Sequence, residues 1–341
     1  MHNLVWTGPK MMEMKEAEVP AVGDNELLVK VEAVGICGSE IEGYLGHNSL
    51  RVPPLVMGHE FSGTVTEVGG QVQGLMRGQR VVVNPLLSCG SCNQCRKGLV
   101  QLCSQRAIVG IHRPGAFAQF VSVPASSVHV VPDELDFFRA SLTEPLACSL
   151  RAARRAMERH PFANVVIFGA GTIGLLAFLV AQTLGASRII VVDSNEARLA
   201  TPQQLGAFAT INPKEPNFID KVKQWGGASG TDVVIDAAGF QPTRDAAVQI
   251  VNPGGTIMNI GLGIDHTQIP INVCIRSEIS ILGSFSYDAQ DFHDALELLK
   301  SGKIDPTQWS EIRPLYEGNQ AFQDLVNGRV AQAKIFLTPN N

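Results

Sequence analysis

From residue 164 onward, short apolar runs alternate with longer stretches whose composition suits a helix. The pattern predicts strands at 164–168, 188–193, 208–211, 232–237, 256–261 and 279–284. It predicts helices at 172–184, 195–204, 217–225 and 243–251. Strands and helices in this alternation are typical of an α/β domain with a doubly wound parallel sheet. The run Asn-Pro-Gly-Gly at 252–255 predicts a turn before the fifth strand, and Pro202 predicts a short or kinked second helix.

Residues 1–146 show a different pattern, dominated by strands and turns. Apolar and polar residues alternate there with a period close to two, which is the period of a half-buried strand. The pattern predicts strands at 26–34, 63–68, 80–83 and 118–123. After residue 286 it predicts one more amphipathic helix, at 291–300, and a last strand at 333–337. The first part of the chain is therefore interpreted as a β-rich domain whose loops carry function.

Composition narrows the possibilities further. A chain of 341 residues is too long for one ordinary core, so two domains are expected. The net charge of −5 argues against nucleic acid as a partner. No apolar run reaches the length of a membrane span, and the N-terminus has no signal-peptide pattern. Four of the seven cysteines crowd between 89 and 103, which favours a metal site in a reducing cytoplasm over disulfides.

A glycine-rich motif follows the predicted strand at 164–168. Gly169, Gly171 and Gly174 have the spacing G-x-G-x-x-G. Asp193 lies 24 residues after the first of them, at the end of the next strand, which is near the ~20 expected of such a motif. The glycines permit a tight turn and close approach of a pyrophosphate to the N-terminus of a helix. This order of elements predicts a dinucleotide site; the alternative is a glycine-rich turn in an unrelated α/β domain.

The crowded cysteines form the run CGSCNQCRKGLVQLC. Their positions are Cys89, Cys92, Cys95 and Cys103. Four thiolates at this density can complete a tetrahedral shell, which predicts a structural zinc. An iron–sulfur cluster is chemically possible, but the spacing C-x2-C-x2-C-x3-C-P is absent.

A second group of potential ligands is spread more widely along the chain. Cys37 lies in GICGSE, His59 and Glu60 in GHEFSG, and Glu144 in TEPLA at the start of a predicted helix. A lone cysteine is most often a buried apolar residue, and a lone His-Glu pair most often lies on the surface. Together they offer thiolate, imidazole and carboxylate, the ligand set of an open catalytic zinc.

These motifs, with EPLA and GAGTIG in the same order and spacing, resemble the zinc-dependent medium-chain alcohol dehydrogenases over essentially the whole chain. The polyol branch, with sorbitol and galactitol-1-phosphate dehydrogenases, is the most similar. The resemblance implies a chaperonin-10-like (GroES-like) catalytic domain built from residues 1–146 and 287–341. It implies a Rossmann domain that binds NAD at residues 147–286.

The resemblance also implies roles for individual residues. Cys37 and His59 are expected to bind the catalytic zinc. Glu60 and Glu144 are expected to share the remaining protein position on the metal, each directly or through water, because members of the family differ in which glutamate binds. Ser39 corresponds to the hydroxyl that takes the alcohol proton. Glu40 stands where the family usually has an aspartate that holds the zinc histidine.

Further residues are implied on the cofactor side. The expected contacts come from Gly169, Gly171, Thr172, Ile173, Gly174, Asp193, Arg198, Ile260 and Leu262. Asp193 indicates NAD, because a carboxylate would repel the 2′-phosphate of NADP. Zinc would supply Lewis acidity and NAD would accept a hydride, in a cleft between the domains.

Two departures from the family bear on the substrate and on the proton. Glu42 stands where many members have a histidine that completes a proton relay, so the proton is expected to leave through Glu42, water or His47. Residues 283–287 lack the arginine with which sorbitol dehydrogenase contacts its polyol. The resemblance therefore does not single out sorbitol as the substrate. The alternatives are a threonine-type amino-alcohol dehydrogenase and a non-catalytic protein on the same fold. A small-molecule alcohol is the expected substrate, and a homodimer or homotetramer is the expected assembly.

Overall fold

The computed structural model describes residues 1–306 and 308–340. The chain divides into two compact units, one of Met1–Glu144 with Asp288–Asn341 and one of Pro145–Tyr287. The sequence predicts these boundaries after residues 146 and 286. Among the described residues, no helix combines the length and the apolar character needed to cross a bilayer.

The strands are numbered along the chain. The first ten are β1 (His2–Gly8), β2 (Met11–Glu16), β3 (Glu26–Gly35), β4 (Leu55–Val56), β5 (Glu60–Val68), β6 (Arg80–Val83), β7 (Leu86–Leu87), β8 (Ala107–Ile108), β9 (Phe120–Pro124) and β10 (Val128–Val130). The second unit contains β11 (Asn164–Phe168), β12 (Arg188–Val192), β13 (Ala209–Ile211), β14 (Thr231–Asp236), β15 (Val251–Asn259) and β16 (Ser280–Gly283). The first unit resumes with β17 (Ser310–Pro314) and β18 (Lys334–Thr338).

The α-helices follow the same convention. They are α1 (Gly38–Leu45), α2 (Asn93–Arg96), α3 (Phe137–Ser141), α4 (Thr143–Met157), α5 (Thr172–Thr183), α6 (Glu196–Gln204), α7 (Phe218–Gly226), α8 (Gln241–Ile250), α9 (Ile271–Arg276), α10 (Ala289–Lys300) and α11 (Gly318–Val326). Short 3-10 helices occupy Val100–Leu102, Ala125–Ser127, Gly227–Ser229 and Leu315–Glu317.

Strand β3 is the centre of the first unit. It pairs antiparallel with β5, β9 and β18, so a strand from the far end of the chain joins the same sheet. Val29, Val31 and Phe61 on these strands are fully buried and pack in one apolar core with Leu337 of β18. Burial of this core holds the end of β3 against the start of β5, where the candidate metal ligands lie.

The second unit is a single parallel sheet with the strand order β13-β12-β11-β14-β15-β16. The order reverses direction between β11 and β14, and in such sheets ligands bind outside the carboxyl ends of the strands at this point. Gly169 follows the end of β11, and Asp236 ends β14. The predicted doubly wound α/β fold is therefore confirmed.

One local prediction is wrong. Strand β15 begins at Val251, so the run at 252–255 lies inside the strand and is not a separate turn before it. The pairing with β14 shifts register between Thr231 and Val233, and this irregularity accommodates the Pro-Gly step. Helix α9 was not predicted from the sequence. It has only six residues and three of its apolar side chains are exposed, so it lacks the apolar periodicity by which the other helices were predicted.

Candidate active site and metal centres

The pairing of β3 with β5 brings distant parts of the sequence together. Gly35 lies opposite Glu60 in the register of these strands, so Cys37, just beyond β3, comes next to His59 and Glu60. The ligand atoms of these three side chains all lie within 4.8 Å of one another. A thiolate, an imidazole and a carboxylate at this separation fit one zinc ion and leave a position open.

Glu40 organises this group from behind. Its Oε2 accepts a hydrogen bond from the Cys37 N–H at 3.1 Å, which also caps the start of α1. Its Oε1 accepts from the Gly58 N–H at 2.8 Å and lies 2.8 Å from His59 Nδ1. The contact expected of the shorter aspartate is therefore made by glutamate, and His59 Nε2 is left for a metal.

The electrostatics of Glu40 agree with this role. Its side chain is fully buried, and burial by itself would raise the pKa of the carboxyl. His59 and Arg51 outweigh that effect and lower the pKa of Glu40 below its usual value. The carboxylate is thus ionised and accepts the proton that His59 carries on Nδ1.

Gly58, immediately before His59, has a backbone conformation that requires glycine. Its φ is +102°, and a Cβ at this position would lie 2.6 Å from the backbone nitrogen of Phe117. A side chain would therefore push apart the two segments that hold the imidazole in place. The glycine of the GHE motif is explained by this close approach.

Glu60 has a partner that the sequence analysis missed. Its Oε2 pairs with Lys334 Nζ, which also donates a hydrogen bond to the Ile36 carbonyl at 3.0 Å. Both side chains are buried, which requires such pairing. Lys334 opens β18, at a sequence separation of 274 residues from Glu60, so no local signal could have found it.

Other predicted residues of the first unit lie around this group. Glu144 is buried in the first turn of α4 and is not one of the three side chains whose ligand atoms cluster. Ser39 Oγ lies 3.4 Å from Cys37 Sγ. Glu42 Oε2 lies 3.2 Å from His47 Nδ1, and both of these side chains are partly exposed.

The four cysteines of the polar loop form a separate centre. Pairs of their sulfur atoms lie 3.5 to 4.0 Å apart. Four ligands at about 2.3 Å from a tetrahedral zinc would lie about 3.8 Å from one another. Backbone N–H groups donate to the sulfurs, and donation from Cys95 and Ser104 lowers the pKa of Cys92 to about 6. The distances between the four sulfurs therefore fit one ion.

In the second unit, the glycine motif forms the predicted turn into a helix. Gly171 is the N-cap of α5, which begins at Thr172 and includes Ile173. A Cβ on Gly174 would lie 1.8 Å from the Gly169 carbonyl oxygen, so only glycine fits. The N-terminus of a helix after such a turn is suited to a phosphate.

Asp193 lies beside this turn, just after β12. Its Oδ2 accepts from the Ala170 N–H at 2.6 Å and its Oδ1 from the Asn195 N–H at 2.8 Å. Arg198 lies on α6, and its buried Nε has no hydrogen-bond partner among the residues described. Ile260 follows β15 and donates from its N–H to the Asp236 carbonyl at 3.0 Å, while Leu262 is 73% exposed in the next loop.

A nucleotide-binding sheet joined in one chain to a metal-ligand cluster defines a class of metal-dependent oxidoreductases. Comparison with known families narrows this class. Residues 23–133 match the Alcohol dehydrogenase GroES-like domain, and residues 172–301 match the Zinc-binding dehydrogenase family. The chain belongs to the zinc-dependent medium-chain alcohol dehydrogenases, and the resemblance found in the sequence is confirmed.

Similar proteins cover nearly the whole chain. The protein named Probable D-xylulose reductase A of Aspergillus fumigatus is 32% identical over 338 residues, which is 96% of this chain and 94% of that protein. The L-galactonate-5-dehydrogenase of Escherichia coli is 33% identical over 304 residues, covering 89% of this chain and 88% of that protein.

Solved structures agree with this grouping. The galactitol-1-phosphate dehydrogenase of Escherichia coli has a TM-score of 0.92 at 27% identity, covering 99% of this chain and 100% of that one. A zinc-binding dehydrogenase of Sinorhizobium meliloti, bound to NADP, has a TM-score of 0.92 at 30% identity, with 99% of both chains covered. This protein is accordingly an oxidoreductase of the zinc-binding dehydrogenase family, with two groups of side chains that could each hold a zinc ion.

The hydrogen bonds of Glu40 lead to a first prediction. Glu40→Gln should weaken zinc binding at the Cys37 site by roughly 10- to 100-fold, because an amide cannot accept from all three donors. Zinc per chain, measured after dialysis against graded chelator, should fall from two ions towards one.

Glu42→Gln is the matched control for this experiment. It makes the same chemical change on the same helix, at a side chain that contacts only the exposed His47 among the described residues. Its zinc content should match that of the wild type. Equal retention of zinc by Glu40→Gln would refute the assigned role of Glu40.

Proposed function

We propose that this enzyme oxidises a secondary hydroxyl of a sugar alcohol, or of its phosphate, to a ketone. The observation that carries the proposal is the cluster of Cys37, His59 and Glu60 with Ser39 next to it. The similar proteins named for D-xylulose, L-galactonate and galactitol-1-phosphate support a polyhydroxylated substrate.

The residues of the first unit have different roles in the proposed reaction. Zinc held by Cys37, His59 and Glu60 would polarise the alcohol oxygen, and the four-cysteine loop would hold a structural ion. Ser39 would accept the proton of the alcohol hydroxyl and give up its own proton to water, Glu42 or His47. Glu40 holds His59 in one tautomer and orientation. Glu144 completes the site through water.

On the cofactor side, the glycine turn and the N-terminus of α5 hold the pyrophosphate of NAD. Asp193 receives the ribose hydroxyls, since its carboxylate already lies beside Ala170 of that turn. A 2′-phosphate at the same place would be repelled by the charge of Asp193. Thr172, Ile173, Arg198, Ile260 and Leu262 supply the remaining contacts.

The test of this function is NADH formation with a panel of polyols, sugar phosphates, diols and threonine. Turnover is expected with a polyol or its phosphate and should vanish in Cys37→Ser, which removes a ligand of the metal. Cys274→Ala, a change at a buried cysteine of the second unit, should retain activity. Two bound zinc ions and tight NAD binding without turnover on any compound would count against the proposal.

The same assay tests the role of Asp193. The wild type should prefer NAD, and Asp193→Ser should reduce that preference roughly tenfold, the effect of about 1.4 kcal/mol on the barrier. The exposed Asp265, changed to serine, serves as the control. An unchanged preference in Asp193→Ser would remove Asp193 from the selection of NAD.

The choice of Glu60 as the third zinc ligand rests on its place in the cluster. Its Oε2 is taken by Lys334, while its Oε1 has no partner among residues 1–306 and 308–340 and remains for a metal. Glu144 lies outside the three clustered side chains.

Zinc content can separate these two glutamates. Glu60→Gln alone would leave Lys334 buried without its partner, a change that can cost about 3–5 kcal/mol. The double variant Glu60→Gln with Lys334→Met removes that charge and should fold but lose the catalytic zinc. Glu144→Gln should retain both ions. The opposite pattern would make Glu144 the direct ligand.

We further propose a cytoplasmic homo-oligomer, a dimer or tetramer. Strand β16 ends the parallel sheet and has no strand on its outer edge among residues 1–306 and 308–340, and Ile271, Ile275 and Ile281 in and before this strand are exposed. An open edge beside apolar side chains is a surface suited to a second copy of the chain. No cysteine among the described residues forms a disulfide, which suits a reducing compartment.

Light scattering tests the assembly. The wild type should show a multiple of 36.6 kDa, and Ile275→Glu should shift it towards that single-chain mass. Met76→Glu alters an equally exposed apolar residue, in the first unit, and should leave the mass unchanged. A monomeric wild type would contradict the proposal.

A further inference from the structure

Arg51 lies in the loop after α1 and is buried, with an exposed fraction of only 4%. Its Nη2 donates a hydrogen bond to Ser39 Oγ at 3.1 Å. The side chain crosses α1 at Gly43, where an added Cβ would lie 2.4 Å from Arg51 Cδ. A guanidinium is seldom buried in this way unless its charge is used.

Neutralising Glu40 accounts for only part of this arrangement. The charge of Arg51 helps to keep Glu40 ionised, but burial and His59 have larger effects on its pKa. The Glu40 oxygens already accept from Cys37 and Gly58 and contact His59. The directed hydrogen bond of Arg51 goes to Ser39.

That hydrogen bond constrains the Ser39 hydroxyl. A serine hydroxyl has one hydrogen and two lone pairs. Arg51 fills one lone pair, and the hydrogen points to Cys37 Sγ, 3.4 Å away. One lone pair is left, and it can accept a hydrogen bond from an alcohol. Arginine stays protonated in proteins, so Arg51 cannot itself take up that proton.

We propose that Arg51 is a positioning residue that acts through Ser39. It holds the hydroxyl so that the remaining lone pair faces the alcohol, and its fixed positive charge lies one hydrogen bond away from Ser39 Oγ. The inference rests on the proposed role of Ser39 in the oxidation. No motif in the sequence links the two residues, because their contact depends on the fold of the loop over α1.

A double-mutant cycle tests this. Arg51→Met should lower kcat roughly 10- to 100-fold, as expected for a displaced catalytic group, and should change the KM for NAD little. In a Ser39→Ala background the same change should cause no further loss. Additive losses in the cycle would overturn the proposal, because they would show that Arg51 acts through Glu40 or through packing.

A second measurement does not depend on turnover. In protein loaded with cobalt(II), absorption from the Cys37 thiolate to the metal should shift in Ser39→Ala and in Arg51→Met. The double variant should match Ser39→Ala. If Arg51→Met leaves the band unchanged while Ser39→Ala shifts it, the proposal fails. Because no substrate is required, this result is independent of the proposed function.

Two further variants guard against a trivial result. Arg51→Lys keeps the charge beside Glu40 but loses the planar fork, so kcat should fall while melting temperature and zinc content stay near wild type. Wild-type kcat in Arg51→Lys would overturn the proposal even if Arg51→Met fails to fold. Arg77→Met removes an exposed arginine of the same unit and should change neither readout.

Discussion

The active site depends on one buried carboxylate. Glu40 binds the N–H of Cys37 at the start of α1, the N–H of Gly58, and the ring of His59. The two segments that carry the metal ligands are thereby held at one place by one side chain. Because a buried charge is tolerated only when it is fully hydrogen-bonded, the arrangement is also specific. Loss of any one donor would leave the buried carboxylate of Glu40 less well hydrogen-bonded.

Opposite charges balance each other around this centre. Glu40 faces His59 and Arg51, and Glu60 faces Lys334. Each ionised group near the cluster thus has a partner that limits the cost of burial. Lys334 lies on β18, a strand from the far end of the chain that pairs with β3. Formation of the site is consequently coupled to completion of the fold of the first unit.

The two metal centres differ in how strongly they depend on the rest of the fold. Cys89, Cys92, Cys95 and Cys103 lie in one loop, so their short spacing already brings the sulfurs to distances suited to zinc. The Cys37 cluster instead requires the pairing of β3 with β5. This difference explains why the spacing of the cysteines alone predicts the first centre. The second is predicted only by several motifs taken together.

The glycine-rich turn and the alternation of strands and helices depend on neighbouring residues only, so both can be predicted from the sequence. Gly169, with its φ of +101°, and Gly174, whose Cβ would clash with the Gly169 carbonyl, are required by the turn itself. The α/β alternation follows from periodicity. The pairs of charged and polar side chains around the site, in contrast, depend on the folded chain. Lys334 reaches Glu60 from 274 residues away, and Arg51 folds back over α1 to Ser39. The folded chain also has Pro253 and Gly254 inside β15, where the pairing with β14 shifts register. Such pairings depend on strand order and on burial, which no local pattern encodes.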